Sequence, residues 1–536
     1  MRLIAALAVL SCATPEGTKD AGCGLTVTEV LTLDSEGLTT PVDQTHPVPS
    51  IRFTFSRDIV RSTITEASVV LRDANGLQLP VHGNSANFPN SATITPRERL
   101  AVSTPHTLSL GSGITDAEGC GLTPFVFRFT VRDEPLPPAT LTSGSLGIPG
   151  GISAPTSLSF GPDARLYVAQ HSGLIKALTL DAQREVTDSL RIEALVGRSV
   201  LGILVGGTAD APVLWASHSE PNGTGGPNPA LDPAGGVISR LSGPDFAIRE
   251  DVIIGLPRSA ELHQNNGIAF EPGSSRLYIT VGGNTNYGAP SSKLGERPET
   301  LLSGAILVVD VDLLGDEPLD VRPTAGGGTY PLGADDFLMG PEGLSAETPL
   351  RVFATGLRNP YDLVWTRVGE PRLYATDNGG NKNWGTTPGP EEGCTGQVPT
   401  DPGSRRDELN LIEAGGFYGH PNPARGECVL DGPGYVAPVL ETGLNLATNG
   451  VAEYDAPGFP GTGIERGDLL YVNYSSGDSV VRWRPSTGET LALVQPLQNP
   501  IDVAVAPDGT IYVAEFGITP GTAALGESRV SYFVAR

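Results

Sequence analysis

The chain has 536 residues, too many for one hydrophobic core, so at least two domains are expected. Its 68 glycines, 47 prolines and 18% charged residues suit short strands and tight turns and disfavour a helical protein. A net charge of −25 excludes nucleic acid as a partner and a basic patch docked on anionic lipid; it fits a protein kept soluble outside the cytoplasm.

Taken in chain order, the first element is a targeting segment. Arg2 gives one positive charge, positions 3–10 are an unbroken apolar run, and Ser11 and Cys12 follow. Eight apolar residues cannot span a bilayer. Small residues ahead of a cysteine resemble a bacterial lipoprotein lipobox, which implies export, lipid attachment at Cys12 and a place in the cell envelope. A plain cleaved signal and a secreted protein is the alternative. The other four cysteines then form an even set. Cys23 and Cys120 lie in the same phrase, Gly-Cys-Gly-Leu-Thr, and Cys394 and Cys428 bracket a Gly/Pro-rich region. Two disulfides in an oxidising compartment are expected, because no spacing suits zinc.

Residues 23–133 alternate with period two. Ile51, Phe53 and Phe55 share one strand face, and Phe125, Phe127, Phe129 and Val131 share another, with turns every eight to twelve residues. This pattern predicts a small β-sandwich. The phrases at 49–56, 64–71 and 113–122 resemble bacterial Ig-like domains of surface-layer type, which implies a spacer or adhesive module. Residues 134–148, opening on Glu134-Pro-Leu-Pro-Pro138, read as a stiff extended linker.

From residue 149 to 536 one phrase recurs: an apolar strand, a turn, and an aromatic-centred strand. Its copies carry Tyr167, Trp215, Tyr278, Tyr374, Tyr471 and Tyr512. Six copies predict a six-bladed β-propeller, so the fold class is all-β, an Ig-like sandwich followed by a propeller. The uneven gaps between copies must hold long loops, and such loops on one face build a site.

Several phrases in this region resemble the soluble quinoprotein glucose/sorbosone dehydrogenases. They are Gly356-Leu-Arg-Asn-Pro-Tyr361, Thr376-Asp-Asn-Gly-Gly-Asn381, the run from Asp407 to Pro421, and Leu262-His-Gln-Asn-Asn-Gly-Ile-Ala-Phe270. The resemblance implies oxidation of aldoses or related sugars with pyrroloquinoline quinone (PQQ) and calcium. It implies His263 as the base that removes a hydroxyl proton, since imidazole titrates near neutrality. It implies Arg358, Asn359 and Asn378 at the quinone, the Gly379 and Gly380 carbonyls at a catalytic calcium, and Asp407, Glu408 and Tyr418 at a second calcium.

The chain also departs from that family. PQQ carries three carboxylates, which need cations. Where the family has two further arginines this chain has Asn499-Pro-Ile-Asp502, and no lysine occurs between Ala447 and Tyr471. Arg198 replaces a glutamine and is a candidate relocated partner. Leu262 and Gly283 stand where the family has carboxylates. A second reading therefore stays open: a non-catalytic, lipid-tethered propeller that binds surface glycans or proteins through the same loops. The ligand is a small sugar or a glycan, the only membrane contact is the lipid anchor, and a monomer or dimer is expected. Trp384 is a candidate to stack on a ring, or a packed loop residue.

Overall fold

The computed structural model describes residues 24–34, 37–84, 90–133, 141–223, 226–322, 344–459, 462–475, 477–517 and 527–535. Cys12, Cys23 and the prolines of the expected linker lie outside them. Among the described residues there are strands and short 3-10 turns but no α-helix, and none is long and apolar enough to cross a membrane as a helix.

The first domain is a sandwich of two four-stranded antiparallel sheets. One holds Val27–Leu33, Ser50–Phe55, Ser91–Pro96 and Val81–Asn84; the other holds Gln78–Leu79, Val69–Arg72, Pro105–Leu110 and Phe125–Thr130. Alternation puts Ile51, Phe53 and Phe55 inward, against Leu108, Leu110, Val69 and Leu71 from the facing sheet. Phe125 and Phe127 close on Phe53 edge-on, with ring centroids 6.3 Å away in each case.

The second domain is a six-bladed propeller. Five blades are four-stranded antiparallel sheets and the second adds a short fifth strand, Leu319–Asp320, in parallel; their innermost strands begin at Pro155, Ser199, Asn265, Pro360, Thr448 and Pro500. These six strands touch one another in chain order, and the sixth touches the first, so the ring is closed. The second strand of a blade is covered on both faces by its neighbours. Leu166–Gln170, Leu373–Asp377, Leu469–Asn473 and Ile511–Glu515 are accordingly buried throughout. Its aromatic residue seals the gap to the next blade: Trp215 meets Phe270 at 5.4 Å, Tyr278 meets Trp365 at 5.2 Å, and Tyr512 meets Phe160 at 5.5 Å.

The ring is shut by a strand taken from the start of the domain. Leu141–Ser145 pairs antiparallel with Arg529–Ala535 and forms the outer edge of blade 6. The expected linker 134–148 is thereby corrected, because part of it belongs to the propeller. Near the axis, Asp362 accepts the Val451 N–H (2.9 Å) and Asp502 that of Leu158 (2.7 Å), tying blade 4 to 5 and blade 6 to 1. The six inner strands start on one face. Two long loops open there too, between Val281 and Ala305 in blade 3 and between Asp377 and Arg406 in blade 4. The second is stapled by the Cys394–Cys428 disulfide, as expected. Cys120 is also disulfide-bonded.

Candidate functional site

Two glycines assemble the site. Gly282 and Gly283 follow the second strand of blade 3. Their N–H groups donate to the carbonyls of Gln264 (2.9 Å) and Arg358 (2.7 Å), in the turns that lead into blades 3 and 4. A Cβ at Gly282 would lie 2.7 Å from Asn359 Oδ1 and 2.8 Å from His263 Cβ. One at Gly283 would lie 2.9 Å from Glu299 Oε1 and 3.2 Å from His420 Nε2. Only glycine lets the backbone approach so closely, and the approach brings His263, Asn359, Glu299 and His420 together around Arg358.

His263 sits at the end of a braced loop. The Ser259 hydroxyl accepts the His263 N–H (3.0 Å), and the Arg258 guanidinium donates to the carbonyls of Ser259 (3.0 Å) and Glu261 (2.8 Å). The ring is 6% exposed. Its Nδ1 lies 2.8 Å from the Gly283 carbonyl, which fixes the proton there and leaves Nε2 as the basic nitrogen. Nε2 makes no hydrogen bond to a described residue. Burial, and then the charge of Arg358, push the pKa down to about 3, so the imidazole is neutral at physiological pH. Behind Gly283, Glu299 accepts from the N–H groups of Asn284 and Thr285, from the Thr285 and Ser303 hydroxyls, and from His420 at 3.0 Å. Burial alone would raise this carboxyl. The His420 bond and charge, followed by the two hydroxyls, hold it at about 2.

Arg358 is buried and forms no ion pair with a described residue. Its Nε donates to Asn286 Oδ1 (3.1 Å) and its Nη1 to the Asn378 carbonyl (3.2 Å), both neutral acceptors. The turn carrying it is held by Asp377, whose carboxylate accepts the N–H groups of Arg358 (3.0 Å) and Asn359 (2.7 Å). Burial lifts the Asp377 pKa to about 6 and that of Asp407, nearby, to about 7. The guanidinium is thus hydrogen-bonded only to neutral oxygens, while the carboxyls of Asp377, Asp407 and Glu261 act on it through space, which leaves its N–H groups able to take an anion directly. Asn359 is half-buried beside it. Asn378 Oδ1 is buried without a hydrogen-bond partner among the described residues.

The remaining expected site residues lie as follows. Gly379 donates its N–H to Asp407 (2.8 Å), whose other oxygen takes the Thr448 N–H (3.2 Å), so Asp407 acts as a backbone clamp. The Gly380 carbonyl accepts from Arg405 (2.8 Å). Asp407 and Glu408 are successive residues of one strand, Arg406–Ile412, with a register irregularity between them, and the Glu408 carboxylate accepts from the Asn410 amide (3.2 Å). Tyr418 turns away to the far end of that strand, where its hydroxyl donates to the Leu411 carbonyl (2.6 Å). Asp407, Glu408 and Tyr418 thus each hydrogen-bond to a different partner. Among the described residues no group of three or more His, Cys, Asp and Glu side chains is placed to hold a metal. Arg198 donates to His218 (3.1 Å) and to the Gly235 carbonyl (2.9 Å) in blade 2. Trp384 is a buried loop residue. Sequence reasoning missed Arg258, Asn286, Glu299 and the role of His420; of these only His420 lay in a quoted phrase.

Comparison with known proteins bears on the two domains differently. Residues 37–131 match the family model of a bacterial Ig-like domain. No curated protein matches the chain. Solved structures similar to it include an oxidoreductase (glucose dehydrogenase) from Thermus thermophilus, 21% identical over 74% of this chain and 100% of that one, with a TM-score of 0.45. Another is the PQQ-bound aldose sugar dehydrogenase of Streptomyces coelicolor, 20% identical over 74% and 99%, TM-score 0.47. A third is the PQQ domain of pyranose dehydrogenase from Coprinopsis cinerea, 14% identical over 74% and 98%, TM-score 0.47.

Proposed function

We propose that the propeller mouth is the active site of an exported, PQQ-dependent dehydrogenase of aldoses or related sugars, with His263 as the base. One observation carries this reading. A neutral histidine with Nδ1 tied to a carbonyl and Nε2 open stands beside a buried arginine that has no anionic partner among the described residues. The first can accept a hydroxyl proton at physiological pH, as a base that burial has weakened, and the second suits a carboxylate-bearing cofactor.

The residues suit the cofactor at that point. Arg358 would take one of its carboxylates and the Asn359 amide would donate beside it. The bound quinone would supply a hydride acceptor. The protein's own part is to hold the sugar hydroxyl against Nε2, to carry the released proton there, and to keep the ring oriented through Gly283. Calcium enters only as a further oxygen-bound ligand near Asn378 and Gly379. A lipid at Cys12 would tether the molecule to the cell envelope.

A specific observation favours a second reading, a glycan- or protein-binding propeller without catalysis. The turn into the last blade offers no cation: Asn499 spends its amide on the Tyr474 carbonyl (3.0 Å), and Asp502 is buried at the axis. Titration of the purified soluble chain with PQQ, with and without calcium, decides between them by quinone absorbance and by dye reduction across an aldose panel. Binding with turnover is expected, and His263→Ala should abolish turnover while leaving quinone affinity within about threefold. No binding at high micromolar PQQ refutes the dehydrogenase.

A further inference from the structure

The rim of the mouth can be followed from blade to blade. Tyr474, Phe516 and His171 come directly after the second strands of blades 5, 6 and 1, where those strands reach the mouth. Their rings form an arc, with Tyr474 edge-on to Phe516 at 5.9 Å and Phe516 edge-on to His171 at 6.2 Å. All three residues are half-buried. Past His171 the rim turns polar. Ser199 Oγ lies 3.1 Å from His171 Nε2 and accepts from Gln264 Nε2 (3.1 Å), whose neighbour in sequence is His263. At its other end the arc meets blade 4. Tyr361, three residues after Arg358, belongs to the same packed cluster as Ile501, Tyr474 and Phe516. Asn378 of blade 4 donates to Asn449 of blade 5 at 3.3 Å. The rim is therefore two-sided: blades 2 to 4 bring hydroxyl, amide, imidazole and guanidinium groups, and blades 5, 6 and 1 bring the rings. Burial, and then the charge of Arg258, lower the pKa of His171, while burial raises that of Tyr474, so both are neutral at physiological pH.

We propose that the arc of Tyr474, Phe516 and His171 is a stacking subsite for the ring of the bound quinone, and that the mouth favours a planar quinone with one carboxylate over one with three. This rests on the mouth being the quinone site. Arg358, whose N–H groups meet only neutral oxygens, can pair one carboxylate on the polar side of the rim. A flat conjugated ring laid against Phe516 and Tyr474 gains contact area and edge-to-face interactions. A carboxylate laid there loses hydration and finds no cation in the rings. Asn499 serves the same subsite, because its amide holds the Tyr474 carbonyl (3.0 Å) and so fixes the first member of the arc. Stacking thus takes the place, on blades 5 and 6, of the cations that the turn into the last blade lacks.

The test is binding to the purified soluble chain and does not depend on turnover. PQQ and a monocarboxylated anthraquinone are titrated by quinone absorbance into wild type, Phe516→Ala, Tyr474→Ala, Phe516→Arg and Arg358→Gln. Wild type alone should bind the monocarboxylate at least about tenfold tighter than PQQ, a comparison that needs no variant to fold. Phe516→Ala and Tyr474→Ala should each weaken the monocarboxylate roughly tenfold. Phe516→Arg supplies a cation within the arc and should reverse the order of the two ligands in favour of PQQ. PQQ bound tighter than the monocarboxylate by wild type overturns the proposal. So does monocarboxylate affinity within about twofold of wild type in both alanine variants. In either case the site reading stands if Arg358→Gln loses PQQ binding. A wild type that binds neither quinone overturns both.

Discussion

Replacing Glu299 by glutamine removes an acceptor at the centre of the site without changing its size. In the wild type one carboxylate oxygen serves the Thr285 N–H, the Thr285 hydroxyl and His420, and the other serves the Asn284 N–H and the Ser303 hydroxyl. Whichever way the new amide turns, its NH2 faces at least two donors, and a buried donor left unsatisfied costs about 1–3 kcal/mol. A loss of ~3–5 kcal/mol follows. The pKa leads to a similar figure: a carboxyl moved from 4.5 to about 2 by folding contributes ~3 kcal/mol. The sign is fixed as well. The folded value lies below the unfolded one, so the contribution is complete above about pH 4.5 and is lost as the pH falls towards about 2. All four tryptophans lie in the propeller, so guanidinium unfolding followed by tryptophan fluorescence reports on that domain alone. Glu299→Gln should lower the midpoint strongly at pH 7 and pH 5, and less at pH 3. A loss under about 1 kcal/mol at pH 7, or a gap as wide at pH 3 as at pH 7, would refute the placement of Glu299 as the ionised support of Gly283 and His420.

Further outcomes follow from other groups. Burial raises the carboxyls of Asp377, Asp407 and Glu408 to about 6, 7 and 8, so they hold protons more tightly folded than unfolded. Stability from this source is greatest near pH 4 and declines as pH rises to about 8; the propeller should melt roughly 2–5 °C higher at pH 5 than at pH 8.5, and a melting temperature that rises over that interval contradicts it. The Cys394–Cys428 bridge closes a loop of 34 residues, worth about 3–4 kcal/mol on a chain-entropy basis, so the Cys394→Ser/Cys428→Ser variant should unfold at clearly lower denaturant than the oxidised wild type. Labelled palmitate should enter the full chain in a bacterial host and should not enter Cys12→Ser; label that survives the substitution removes the lipid anchor.

The sequence made the blades legible because their signal is local. Tyr167, Trp215, Tyr278, Tyr374, Tyr471 and Tyr512 each stand in a short apolar strand next to its partner, and each occupies the second strand of its own blade. Leu141–Ser145 was not legible, since its five residues carry no aromatic and its only partner lies at the other end of the chain. His263 and Arg358 could be singled out by their phrases. Glu299 and Arg258 could not, because what makes them matter is burial against loops from elsewhere in the ring. Cys394 and Cys428 paired as read, each from a loop on one side of the strand Arg406–Ile412.

The closing strand of blade 6 also sets the order of events when the protein is made. Ser145 and its partner Val530 are 385 positions apart. At about 5–20 residues per second the first waits roughly 20–80 seconds for the second to be synthesised. The Ig-like domain, complete long before then, can fold at once, whereas every blade up to the fifth must persist beside an open seam. An exported chain threaded from its N-terminus meets the same delay on the far side of the membrane. Any truncation that removes Arg529–Ala535 should therefore leave a ring that cannot latch, however intact its first five blades are.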